Sequence, residues 1–415
     1  MSSIRLAIAR LGSQGDGVAD TPNGPVFVPF TLPGDTVTAA VVKDRGTVMA
    51  LVEPSPLRVS PSCRHFTECG GCAVQHLERP AYLDWKREKV GEALNVRRIE
   101  AVVSPTEPCE PRSRRRVVLS ARRTEAGMLL GYNRALSHTI IDVVECPVSK
   151  PSIEEALPVL RGLAATVCNT SQAFHITVTD TETGLDIAFD GSGPASDSVR
   201  RAATDFVLGE KGIARLAVGG EVIVEPRKPC VAFGGVQVSP PPGGFLQAVA
   251  SAEENIATLV SDHFARARKI ADLFAGAGAF ALRLAAKSEV HAVEGDQASL
   301  TALDRGFRFA KGLRKVTTER RDLFRRPLTF KELRAFDAVV FDPPRAGAED
   351  QSKQIAKSDV PLVAAVSCNP VTLARDLRIL LDGGYRLKAT TPVDQFLWSP
   401  HVEVVALLEK PKRRR

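Results

Sequence analysis

Apolar and polar positions alternate along the first fifty residues, where 5–8, 26–29 and 36–42 read as short strands and Gly15, Gly17, Gly24 and Gly34 fall at the turns. The pattern predicts a small β-barrel over 1–56, closed by the breaker Pro54-Ser55-Pro56-Leu57. Beyond a cysteine-bearing segment, helical spacing predicts an amphipathic helix over 82–94. Mixed strands and helices continue to about residue 238, which predicts a central α+β unit over 57–239. A second breaker, Pro240-Pro241-Pro242-Gly243-Gly244, opens a third pattern. Strands over 269–274, 290–293, 338–341 and 362–367 are spaced by helices, which predicts a parallel, doubly wound, Rossmann-like sheet over 240–411. A basic tail, 412–415, ends the chain.

A chain of 415 residues divides naturally into several cores, so a multidomain α/β protein is expected. Its 44% hydrophobic and 25% charged residues exclude a disordered or membrane-embedded chain. No apolar run is long enough for a bilayer and the start lacks a signal-peptide core, so a cytoplasmic monomer is expected. Net charge is +7, and arginines gather at Arg112, Arg114, Arg115, Arg116, Arg122 and Arg123, flanked by apolar positions. This predicts a strand face of the central unit that binds RNA. With only three Tyr and two Trp, phosphate contacts should outweigh base stacking.

The third pattern carries chemistry. The stretch from Ala271 to Ala281 (ADLFAGAGAFA) is a buried strand running into a glycine-rich turn and a helix, where backbone can approach a ligand closely. Glu294, ending the next strand, is placed to accept from ribose hydroxyls. These features suit NAD and S-adenosylmethionine equally. Asp342-Pro343-Pro344-Arg345 at a later strand end favours the second, because a stiff loop that presents a carboxylate suits a flat base held beside a methyl sulfonium. Cys368 stands at another strand end, just ahead of a helix with Asn369 as cap and Pro370 as first residue. There the helix dipole is expected to favour its thiolate.

Asp342-Pro343-Pro344-Arg345-Ala346-Gly347, Ser367-Cys368-Asn369-Pro370 and His401-Val402-Glu403 together resemble the three signature segments of the RNA uracil-5-methyltransferase family, in matching order. The N-terminal unit likewise resembles the TRAM domain, an OB-like RNA-binding module. The resemblance implies S-adenosylmethionine-dependent methylation of carbon 5 of a uridine, with Cys368 attacking carbon 6 and Glu403 removing the carbon 5 proton. It implies cofactor contacts at Gln247, Phe274, Gly276, Gly278, Glu294, Asp322 and Asp342. The segment Phe245-Leu246-Gln247 departs from the family's usual second Phe, and Ala279 replaces a common polar residue.

Eight cysteines in a chain read as cytoplasmic point to metal or catalysis rather than disulfides. Cys63, Cys69, Cys72 and the distant Cys146 can supply four thiolates for zinc or a [4Fe–4S] cluster. Their spacing resembles the iron–sulfur site of the family's rRNA-acting members, which implies the cluster. The barrel and cluster together imply 23S rRNA as substrate. Alternatives are tRNA and, in another class, a noncatalytic RNA-binding or chaperone module. The latter predicts decay of the reactive residues, yet Cys368, Glu403, Asp342 and Gln247 are all present.

Overall fold

A computed structural model describes residues 3–411; the basic tail 412–415 lies outside them. The first six strands form one sheet in the order Ser3–Ala7, Thr36–Val42, Arg45–Glu53, Gly24–Val28, Gly17–Thr21, Arg10–Leu11. It curls until Ala9, just past the first strand, donates its N–H to Val18 O at 2.8 Å. Leu6, Ile8, Val26, Val28, Val37 and Ala39 fill the interior, the alternation that the sequence pattern demanded.

A seven-stranded sheet forms the middle of the chain, ordered Glu221–Val224, Ile213–Val218, Gly184–Asp190, Phe174–Thr181, Arg116–Thr124, Gly127–Asn133, Ile140–Asp142. Helices Leu157–Val167 and Asp197–Gly209 bury Leu160, Leu163, Ala203 and Val207 against one face. The predicted amphipathic helix forms as Arg79–Val96, but it does not join this core. Its Tyr82 and Trp85 pack with Val249 and Leu397, and its Val90 and Leu94 with Leu373 and Leu377, all residues of the C-terminal unit. Sequence placed the helix in the central unit because periodicity shows an apolar face without showing what covers it.

The C-terminal sheet also has seven strands, ordered Val316–Arg320, Glu289–Glu294, Lys269–Leu273, Ala338–Phe341, Leu362–Ser367, Glu403–Glu409, Arg386–Val393. The first five are parallel, and Glu403–Glu409 runs antiparallel to both of its neighbours. The chain order reverses between Lys269–Leu273 and Ala338–Phe341. A crevice therefore opens beyond their carboxyl ends, where open α/β sheets bind ligands.

The arginine cluster does not form the exposed basic face expected of it. Arg115 is only 6% exposed: Nη2 meets Glu253 at 2.6 Å and Nε donates to Gln247 O at 3.1 Å. Half-buried Arg116 donates to the carbonyls of Gly243 and Gly244. Both clamp the central sheet to the C-terminal unit. A run of arginines signals charge, and it does not show which members find buried acceptors. Arg112, Arg122 and Arg123 remain exposed.

Candidate active site

The crevice is a cavity of about 1170 Å³, and its wall includes Gln247, Phe274, Gly276, Glu294, Asp322, Asp342, Cys368 and Glu403. Gly278, the remaining member of the expected set, does not line it. At φ +98° it turns the chain where a Cβ would meet Leu303 at 2.8 Å, so its task is the close packing of the turn on the helix Gln297–Phe309. Phe274 holds a left-handed φ of 62° at the strand end and sets its ring against Phe324. The Glu294 carboxylate accepts backbone N–H groups from Gly276 at 3.0 Å, Gly295 at 2.7 Å and Asp296 at 2.8 Å. It thereby joins two loops of the cavity wall and keeps a fixed position there.

Asp342 follows the strand Ala338–Phe341 and accepts from Gln247 Nε2 at 2.8 Å. Burial pushes its carboxyl up to about 7. Glu403 opens the antiparallel strand, is 2% exposed, and accepts from Gln395 Nε2 at 2.6 Å through Oε2. Its other oxygen, Oε1, is buried without a partner among the described residues. Burial, and then the charge of Asp342, hold its carboxyl well above the usual carboxylate range. Two buried acids on the wall of one cavity resist losing both protons.

Cys368 sits half-buried between the strand Leu362–Ser367 and the helix Pro370–Asp382, with Asn369 as N-cap as the sequence predicted. The expected thiolate stabilisation is not found. Burial, then Glu403 and Asp342, push the thiol up to about 11, and Arg345 only partly offsets them. The helix start offers little help, because Pro370 has no N–H and Asn369 Oδ1 takes the N–H of Val371 at 3.1 Å.

Two buried groups essential to this arrangement escaped the sequence reading. Gln395 bridges Glu403 and Gln247, donating to Gln247 Oε1 at 2.6 Å. Lys86, from helix Arg79–Val96, contacts Asp394 Oδ1 at 2.8 Å and donates to the carbonyls of Phe396 and His401. The available signal was Asp394-Gln395 between Val393 and Phe396, a polar pair in an otherwise apolar stretch.

Cys63, Cys69, Cys72 and Cys146 lie in one neighbourhood. Burial raises the thiols of Cys63, Cys69 and Cys72, the last to about 12, and a charge on Cys146 would raise each further. Gly70 makes the loop tight, since a Cβ there would meet Ala135 N and Asn133 O at 2.7 Å. Gly71 N–H donates to Cys69 Sγ at 3.4 Å. Among the described residues, however, no group of three or more His, Cys, Asp or Glu side chains converges as metal ligands. None of their helices is long and apolar enough to cross a membrane.

With this geometry in place, known proteins give it a context. Residues 242–411 match the family model described as tRNA (Uracil-5-)-methyltransferase, and residues 2–48 match the TRAM domain. An uncharacterized RNA methyltransferase of Mesorhizobium japonicum is 62% identical over 413 residues, covering all of both chains. A 23S rRNA (uracil(1939)-C(5))-methyltransferase of Pectobacterium atrosepticum is 29% identical, covering 98% of this chain and 93% of the other. Among solved structures, the Pyrococcus abyssi tRNA (uracil-54, C5)-methyltransferase in complex with S-adenosyl-L-homocysteine superposes with a TM-score of 0.75 at 25% identity, covering 97% of this chain and 99% of that one. A TRAM module, a methyltransferase fold and relatives along the whole chain agree with the three signature segments: the protein belongs to the RNA uracil-5-methyltransferase family.

Proposed function

We propose that this protein methylates carbon 5 of a uridine in 23S rRNA through a covalent adduct, with Cys368 as nucleophile and Glu403 as base. The observation that carries the reading is the meeting of these two groups on one cavity wall, with Glu403 Oε1 left unengaged. S-adenosylmethionine supplies the methyl group. Gln247, Phe274, Gly276, Glu294, Asp322 and Asp342 would hold it, with Gly278 shaping the turn beneath.

Carbon 5 of uracil is too weak a nucleophile to be methylated directly. Cys368 gives its proton to solvent in the open crevice and, as the thiolate, forms a bond from Sγ to carbon 6, which moves the electron pair of the 5,6 double bond toward carbon 5 and O4. Once carbon 5 carries the methyl group, Glu403 takes the proton left on that carbon. The released pair restores the 5,6 double bond and expels the Cys368 thiolate. To take that proton Glu403 must be ionised, a state that the Gln395 N–H donor favours against its burial. The cavity cannot reach a base inside a stack, so the uridine must be single-stranded or flipped out.

The full-length similarity to a 23S rRNA enzyme supports rRNA, whereas the superposition on a tRNA enzyme supports tRNA. Purified protein should form 5-methyluridine on unmodified 23S rRNA and not on tRNA transcripts, read by nucleoside mass spectrometry. The reverse preference would move the substrate to tRNA, and no product on either would sink the reading.

We further propose that Cys63, Cys69, Cys72 and Cys146 hold a [4Fe–4S] cluster. Cys69 and Cys72 flank a glycine-tightened loop, Cys69 already accepts a backbone N–H, and Cys63 and Cys146 lie near them, a donor set whose chemistry suits an all-cysteine cubane. Protein purified without oxygen should be brown with about four irons per chain, and Cys69→Ser should lose them. Colourless protein with stoichiometric zinc would replace this assignment.

A further inference from the structure

Gln395 is 1% exposed and engages both of its amide donors and its carbonyl oxygen. Nε2 donates to Glu403 Oε2 and to Gln247 Oε1, both at 2.6 Å, while Oε1 accepts from Ala248 N at 2.9 Å. Rotating the amide by half a turn would set its carbonyl against two oxygens and its NH₂ against an N–H, so only one orientation is viable. Gln247 extends the chain by donating to Asp342 Oδ2 at 2.8 Å. The result is a continuous line, Asp342–Gln247–Gln395–Glu403, that begins and ends in a carboxyl group of the same cavity.

The segment carrying Gln395 is itself fixed. Val393 pairs with Glu403 across the sheet, and Asp394 is held by Lys86. Gln395 therefore meets Glu403 from a rigid base rather than from a mobile loop. A neutral amide at this point has a particular merit. A cation would pair with the carboxylate and weaken it as a base, and a water molecule would not fix its orientation.

We propose that Gln395 is the positioning residue for the base: it holds one oxygen of Glu403, leaves the other uncommitted for the carbon 5 proton, and ties that carboxyl to the Gln247–Asp342 pair. This inference rests on the function proposed above. Because an N–H donor favours the ionised carboxyl, it also keeps Glu403 ready at lower pH than burial alone would allow. The other titratable groups acting on this site are Asp342 and Cys368, the latter also under the charge of Arg345.

The test uses the full-length protein with substrate RNA and S-adenosylmethionine. In Gln395→Met, which keeps length but removes both donors, kcat should fall on the order of 10- to 100-fold with KM for RNA changed less than about twofold. Rapid quenching should show a methylated protein–RNA adduct building up, because elimination is the step that slows. The acidic limb of the kcat–pH profile should move to higher pH, since loss of the donor raises the carboxyl's pKa. Gln395→Glu keeps an acceptor for Ala248 N–H, so it carries the test if the Met variant does not fold. Its kcat should also fall, most at alkaline pH where a third carboxylate faces Glu403. Parental kcat and pH profile in the variants would overturn the proposal, and so would adduct and product falling together, which marks a merely structural role. A parent protein that makes no 5-methyluridine would instead remove the function beneath it.

Discussion

Glu403→Gln is expected to leave the protein covalently trapped on its RNA, whereas Cys368→Ala is expected never to form the bond at all. The two side chains share a cavity but act on opposite sides of methyl transfer. Without the thiolate, carbon 5 gains no electron density, so Cys368→Ala should transfer no methyl and release no tritium from RNA labelled at carbon 5 of uridine, while still binding RNA and cofactor. In Glu403→Gln the nucleophile is intact and attack and methylation can proceed, but the amide cannot accept the carbon 5 proton. Turnover should fall on the order of 10²- to 10⁴-fold. A methyl-bearing protein–RNA species should survive denaturation on a gel. The Gln side chain matches Glu in volume and can rotate to accept from Gln395 Nε2 through its carbonyl, so the wall of the cavity is kept. Normal turnover in Glu403→Gln, or an adduct in Cys368→Ala, would strip these residues of their assigned roles.

Much of this site was legible because strand ends and helix starts leave local signatures. Asp342 and Cys368 each follow an apolar strand, and the Asn369-Pro370 cap appears where the sequence put it. Asp342, Cys368 and Glu403 lie far apart in the chain, so it was the family's signature segments rather than spacing that joined them. What stayed hidden depends on partners. Arg115 looked like an RNA contact because its neighbours are basic, and its buried acceptor Glu253 lies 138 positions away. The dipole argument for Cys368 overlooked that Pro370 and the Asn369 cap leave few free N–H groups at the helix start, and it omitted burial and two carboxyl groups brought in by other strands. Gln395 and Lys86 belong to no catalytic residue type in so uncharged or so amphipathic a setting. Their roles emerge only when the helix of residues 79–96 docks on the C-terminal unit.

Lys86→Met should be among the most destabilising substitutions in the chain. Lys86 and Asp394 are both 0% exposed at the side chain and stand 2.8 Å apart. Removing one member of such a pair leaves a buried charge without its counterion, at a cost of about 3–5 kcal/mol. Asp394 is poorly placed to recover, because its Oδ2 already lacks a partner among the described residues. The carbonyls of Phe396 and His401 lose the same ammonium, so the segment bearing Gln395 and leading to Glu403 loosens at three points. Chemical denaturation should show the loss directly, with catalysis falling alongside. The double variant Lys86→Met/Asp394→Asn separates the charge from the packing, because it removes the stranded carboxylate while filling nearly the same volume. Most of the lost stability should return, and the non-additivity measures the coupling between the two groups. Catalysis should recover less, since neither Met nor Asn restores the bonds that held the carbonyls of Phe396 and His401. A single variant as stable as the parent would mean that water reaches Asp394 and that the pair is not sealed from solvent.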